Sequence, residues 1–415
     1  MELRPGYEQT ETGVIPEEWE VSLLDSVAKR GSGHTPDKAH PEYWDGQIKW
    51  ISLQDSDRLD QLYIYDTAAK ITPAGIANSS ARMHPKGTVV LSRDAGVGKS
   101  AIMKDDMAVS QHFIAWQCGP SLNNHFLYYW LQSKKSEFQR IAMGNTIKTI
   151  GLPYFRQLVI PRPDRTEQDA IAAALSNTDA LIESLEQLIA KKRQLKQGAM
   201  QELLAGKRRL PPFRKEWESM RLGELFTFKN GLNKAKEFFG HGTPIVNYMD
   251  VFQHPAILGS MLAGRVFLTN QELSTFDVRM GDVFFTRTSE TTDEVGIASV
   301  VLDDLSQTVF SGFLLRARPK NNKLCNEFKR YCFAPSYVRK QIISRASYTT
   351  RALTNGRILS AVTLRIPEPD EQLAIAEMLN DIDAEISALQ GKLSKARHLK
   401  QGMMQELLTG RTRLV

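Results

Sequence analysis

The chain has 415 residues, of which 42% are hydrophobic and 24% charged, the proportions of a soluble globular protein with two or three cores. No apolar run approaches the ~20 residues of a membrane helix, and three cysteines, Cys118, Cys325 and Cys332, are odd in number and lack metal-ligand spacing, which fits reduced thiols in a cytoplasm. A net charge of +6 and a pI near 9.0 lean toward a polyanionic partner.

In chain order, the opening MELRPGYEQTETG is polar and carries no apolar signal core. Trp19 then stands in EEWEVSLLDS, an amphipathic turn, and IKWISL at 48–53 is a short apolar strand. At Gly87-Thr-Val-Val-Leu-Ser-Arg93 a glycine turn leads into a buried strand that ends on an arginine. A helix is predicted over 125–141, and QLVIP at 157–161 is a last strand before Pro161–Pro163. A long amphipathic helix follows and stops near Gly206, before a basic cluster.

The same order then repeats. Trp217 stands in KEWESMRLGEL, TPIVNYMDV at 243–251 matches IKWISL, and Gly281-Asp-Val-Phe-Phe-Thr-Arg287 matches the arginine-ended strand. A helix is predicted over 327–343, AVTLRIP at 361–367 is the closing strand, and a second long helix ends near Gly410. From Glu167 and Glu371 onward the two copies run without a gap, 204 residues apart, and LKQG-x-MQELL recurs at Leu195–Leu204 and Leu399–Leu408. The repeat divides the chain into a globular part (1–160), a helix (161–210), a second globular part (211–365) and a second helix (366–415). Short strands with few helices make each globular part α+β.

Ile375, Leu379, Ile382, Ile386, Leu389, Leu393, Ala396, Lys400, Met403 and Leu407 follow a 4-3 spacing in which only Lys400 is not apolar. The matched residues of the first copy run from Ile171 to Leu203 in the same register. Each is a heptad seam on a rod of about 40 residues, roughly 60 Å long. A seam of that length needs cover, and the two copies supply each other. Antiparallel pairing would relate the halves by a pseudo-twofold axis, and parallel pairing would set them side by side. The antiparallel coiled coil is the expected form. The basic run Lys191, Lys192, Arg193 and Lys196 suits either phosphate contact or a solvated helix face.

With these residues in place, the chain resembles the specificity subunit of a type I restriction-modification system. The resemblance is carried by Gly33-His-Thr-Pro36, Tyr43-Trp44, Ile48-Lys-Trp-Ile51 and Asp55, then Arg93 with Gly96-Val-Gly-Lys-Ser100 and Ile102. It continues through Thr146-Ile147, Leu158-Val-Ile-Pro161 and Glu167-Gln168, and again through Pro367, Pro369, Glu371-Gln372 and Ile375. The second half departs at Lys229-Asn-Gly-Leu-Asn-Lys234, where the first has Gly33-His-Thr-Pro36. The resemblance implies two target-recognition domains, each reading one half of an interrupted double-stranded DNA target. The helices would set the spacing and dock two methyltransferase subunits, and restriction subunits with a translocase would join them. The chain itself would catalyse nothing, hold no metal or cofactor, and leave S-adenosylmethionine and ATP to its partners.

DNA-binding candidates on loops beside strand ends are His34, Thr35, Arg93, Lys99, Asn145 and Lys148 in the first half. Those in the second are Lys229, Asn230, Lys234, Arg287, Thr288 and Arg351. Arginine and lysine suit guanine and phosphate, and asparagine suits adenine. Partner-docking candidates on the recurring segment are Leu195, Met200, Leu203, Leu399, Met404 and Leu407.

Two other readings compete, a self-contained adenine methyltransferase or nuclease and a coiled-coil adaptor that binds only protein. Gly96-Val-Gly-Lys-Ser100 lacks the first glycine of a phosphate-cradling loop, Arg93 standing there. Phe238-Phe-Gly-His-Gly242 follows no buried strand, and Leu210-Pro-Pro-Phe213 lacks the amide or carboxylate that a methyltransferase turn would place at Leu210. Glu327-Phe-Lys329 has no convincing upstream acid for a nuclease.

Overall fold

A computed structural model describes residues 5–144, 148–348 and 350–414. They form two compact units, residues 1–187 with 390–415 and residues 188–389. The long helices, Arg165–Leu203 and Pro369–Leu407, are therefore not bodies of their own, since each gives one part to each unit. No described helix is long and apolar enough to cross a membrane.

The repeat is legible in the sheets. In the first unit a five-stranded sheet runs in the order Ala28–Gly31, Phe113–Cys118, Val89–Ser92, Ser100–Met103, Tyr63–Ile64. In the second the order is Phe226–Asn230, Leu314–Pro319, Val283–Thr286, Ala298–Val301, Ala256–Ile257. In both sheets only the last pairing is parallel. Val89–Ser92 and Val283–Thr286 are buried at every residue because they lie mid-sheet with both faces covered. A second sheet in each unit is built on Trp44–Ile51 or Phe239–Val246. Both of these strands shift register four residues after they begin, between Trp44 and Ile48 and between Phe239 and Thr243.

Each predicted helix of the globular parts is broken in two. The first becomes Asn124–Ser133 and Lys135–Ile141, and the second Asn326–Lys329 and Ser336–Arg345. In the second, Pro335 lacks the amide hydrogen that would continue the ladder.

The strand just after each repeated tryptophan pairs antiparallel with the exit strand, Glu20–Leu23 with Val159–Arg162 and Glu218–Arg221 with Thr363–Ile366. The exit strand thereby delivers the chain into its long helix beside that tryptophan. There the fully buried Glu167 accepts from Trp19 Nε1 at 3.2 Å and from Arg413 Nε at 2.7 Å. Equally buried, Glu371 accepts from Trp217 Nε1 at 2.9 Å and from Arg209 Nε and Nη2, both at 2.6 Å. The carboxylate raises the affinity of each arginine for its proton above the ordinary value, chiefly through that hydrogen bond. Each arginine lies just beyond the C-terminus of the other long helix, after a glycine in the left-handed region, Gly206 (φ +66°) or Gly410 (φ +68°). Gln168 and Gln372 complete the motif. Each side chain bonds two backbone carbonyls, Ser121 and Pro163 or Lys323 and Pro367, and accepts from the amide of Asn123 or Cys325.

Within each unit the paired helix segments are antiparallel, as expected from the seam. In the first, Thr178 meets Met403, Asp179 meets Lys400 at 2.6 Å, and Glu186 meets Arg397 at 2.5 Å. In the second, Lys196 meets Asp383 at 2.6 Å and Lys192 meets Glu385. The polar seam position is thus filled by a pinned lysine. Asp179 also accepts from Tyr129 Oη at 2.8 Å, and Asp383 from Tyr331 Oη at 2.9 Å. Each lysine lies over that tyrosine ring, 5.5 Å from its centroid.

Replacing Glu371 by alanine leaves Arg209 without its buried partner, and the unfolding free energy of the unit falls by about 3 kcal/mol. Urea denaturation followed by tryptophan fluorescence measures this, and an unchanged midpoint contradicts the role given to Glu371.

Candidate nucleic-acid interface

Each unit carries the same frame at one end of its five-stranded sheet. Gly33 in the first unit and Gly231 in the second cross a neighbouring strand too closely for a side chain. A Cβ would stand 1.7 Å from Val109 O in one and 2.1 Å from Ser311 O in the other. Gly231 is thus the structural counterpart of Gly33, which aligns the segments where the sequences of the halves depart. The strand that ends on an arginine is held identically in both. Arg93 N donates to His112 O and Arg287 N to Phe313 O, both at 3.0 Å. The arginine carbonyls accept from Ile150 N at 3.0 Å and Thr354 N at 2.9 Å.

In the first unit Arg93 Nε also donates to Ile150 O at 3.1 Å, with Asp94 at 3.7 Å. Its guanidinium therefore braces the frame. Among the described residues Arg287 Nη1 reaches Gly312 O, at 3.5 Å. Thr35 Oγ1 donates to Gln111 Oε1 at 2.8 Å, and His34 is exposed while its carbonyl accepts from Trp50 Nε1 at 3.1 Å. Thr35, Lys38, Trp44, Trp50, Gln54 and His112 line a cleft of about 450 Å³. His112 Nδ1 lies 2.7 Å from Asp94 Oδ2.

Three candidate lysines have partners within the protein. Lys99 Nζ donates to Ser56 O at 2.9 Å and faces Asp57. Lys229 Nζ donates to Thr275 O at 2.6 Å, over the Phe276 ring. Lys234 Nζ is shared between Phe267 O and Glu272, both at 2.8 Å. These ammonium groups tie loops to strands and are already engaged by the protein. Exposed positions remain at Lys148, Asn230 and Arg351, while Thr288 is in a strand paired with Leu353. Asn145 lies outside the described residues. Gln111, His112 and Phe313 stand on the turns that bond the arginine strands, and Gln54 shares the cleft with His112, placements that come from separate segments and are not legible in the sequence.

Of the docking candidates, Leu203 and Leu407 are 3% and 5% exposed, in the cores of the second and first units. Seam positions point inward by the same periodicity that identified them. Met200 and Met404 pack against those cores, and Leu195 and Leu399 remain outside, 55% and 58% exposed.

The features that imitate enzyme motifs have structural explanations. Gly96–Ser100 turns one antiparallel strand into the next, with Gly96 and Gly98 at positive φ, and no helix follows to receive a phosphate. Phe238 and Phe239 are exposed where a 3-10 turn passes into a strand. Burial pushes the Cys118 thiol up to about 12 and raises Cys332 as well, so neither is a thiolate at neutral pH. Among the described residues no group of three or more His, Cys, Asp or Glu is placed to hold a metal.

The family described as the type I restriction modification DNA specificity domain matches residues 16–193 and again residues 214–396. The MjaIX specificity subunit of a type I restriction enzyme from Methanocaldococcus jannaschii is 26% identical over 70% of this chain and 71% of its own. The MjaVIII specificity subunit of the same organism is 22% identical over 96% of this chain and 94% of its own. The crystal structure of a type I restriction-modification S subunit from M. genitalium superposes with a TM-score of 0.57 at 18% identity, covering 98% of both chains.

Arg93→Ala removes the brace to Ile150 O. The first unit loses about 2 kcal/mol of stability, the scale of a charged hydrogen bond whose buried acceptor is left unmet. Thermal unfolding reads this loss, and a variant as stable as the parent contradicts the bracing role.

Proposed function

The chain belongs to the type I restriction-modification DNA specificity family, and from that premise we propose that each unit reads one half of an interrupted duplex while the helices fix the spacing between the halves. It is a DNA-recognition subunit. The observation that carries the proposal is the doubled frame. Two sheets share strand order, closing pairs and arginine anchors, yet present different side chains on their turns. One fold used twice with different loops suits two different half-sites. Lys148 and Arg351 supply phosphate contacts, and the turn residues supply base contacts.

The chain carries no catalytic step. Methyl transfer from S-adenosylmethionine and ATP-driven translocation belong to methyltransferase and restriction subunits, which meet this chain in the cytoplasm. Exposed Leu195 and Leu399, at matched positions of the recurring segment, are the docking contacts. A self-contained methyltransferase is not favoured, since its motif fragments lie in a turn, an exposed strand and a connecting loop.

Co-expression with the cognate methyltransferase subunit, followed by mapping of methylated bases in the host genome, tests the function. Methylation at one interrupted motif that depends on this chain is expected. Methylation without the chain, or at a continuous motif, overturns the proposal. The double variant Leu195→Glu, Leu399→Glu keeps its melting temperature and loses co-purification of the methyltransferase subunit by at least tenfold, as expected when charge enters an apolar contact. Undiminished co-purification rejects these two residues as the dock.

A further inference from the structure

The matched turns that follow the second sheet of each unit have one backbone and two chemistries. Ser110 N donates to Ile51 O and Ser311 N to Val246 O, both at 2.9 Å. Each turn is closed by its serine carbonyl, which accepts from Phe113 N at 3.2 Å or Leu314 N at 3.0 Å. The last turn residue in each, His112 or Phe313, gives its carbonyl to the arginine strand. The turn is therefore fixed at both ends in both units, and only the side chains on it change, from Gln111-His112 to Gly312-Phe313.

Those changes are coordinated with their surroundings. His112 is oriented by Asp94, the residue after Arg93, through the Nδ1–Oδ2 contact of 2.7 Å. At the matched position after Arg287 stands Thr288, so the second unit lacks both the imidazole and the carboxylate that orients it. In place of the histidine is Phe313, 61% exposed. Burial does not explain a large apolar ring held outward on a rigid turn, and its backbone bonds need no aromatic side chain. His112, in turn, lines the polar and aromatic cleft with Thr35 and Gln54.

We propose that His112 and Phe313 are the matched specificity-determining residues of the two units. His112 hydrogen-bonds a base edge through Nε2, and Phe313 makes apolar contact with a thymine methyl group. Asp94 is a positioning residue that acts through His112. The chemistry follows from the major groove, where a base edge offers hydrogen-bonding atoms and thymine alone presents a C5 methyl. With Nδ1–H donated to Asp94, the imidazole keeps one polar atom for a base. This inference rests on the DNA-reading function proposed above.

The test uses the full chain assembled with its methyltransferase subunits and a duplex library randomised across both half-sites. The parent complex selects an interrupted motif. His112→Ala and His112→Gln each erase or change the preference at one base position of one half, and Asp94→Asn weakens the preference at that same position. Phe313→Ala erases a thymine preference in the other half only. Replacing that thymine by deoxyuridine weakens the parent about fourfold, as expected for one lost methyl contact, and leaves Phe313→Ala unchanged. Equal loss over all positions overturns the assignment, as does an unaltered motif. Loss of methyltransferase association in Phe313→Ala with an unaltered motif also overturns it and marks the ring as a protein contact. A parent complex that selects no motif at all refutes the DNA-reading function itself, and this inference with it.

Discussion

A buried carboxylate at the start of each long helix is the constraint on which both units depend. Glu167 and Glu371 are wholly removed from water, so their charge must be met inside the protein. A tryptophan from the beginning of the same half and an arginine from beyond the other helix meet it. The start of each helix is thus tied to the end of the other. Within each unit, that contact joins segments 246 or 162 residues apart in the chain.

The polar positions within the seam act differently. A half-buried ion pair adds little net stability, yet it tolerates few alternative alignments. Lys400 with Asp179 and Tyr129, and Lys196 with Asp383 and Tyr331, set the antiparallel register within their units. A wholly apolar seam would allow slippage by a heptad, as coiled coils with uniform cores do. Each tyrosine comes from the globular part, so the same contact also fixes that part against the paired helices.

At the arginine-strand ends the division is between frame and presented side chain. Close backbone crossings at Gly33 and Gly231 and the backbone bonds of Arg93 and Arg287 recur in both units. The lysines on loops beside the strand ends, Lys99, Lys229 and Lys234, bond carbonyls of the frame. A loop that must be held rigid draws on the nearest cation for its own carbonyls. The turn side chains on that frame differ between the copies.

The repeat, the helix seams, the α+β character and the arginine-ended strands were determined by the sequence alone, since each depends on local periodicity or on two segments of the chain matching one another. The breaks at Ser133–Lys135 and before Ser336 were less legible, because propensity over so short a stretch is weak against packing. Tertiary structure alone decided that Lys400 is a pin, that Leu203 and Leu407 are core, and that His112 and Phe313 share one position on matched turns. Those outcomes depend on hydrogen bonds and burial between residues far apart in the chain, and spacing along a sequence carries no record of which distant carbonyl a side chain will meet.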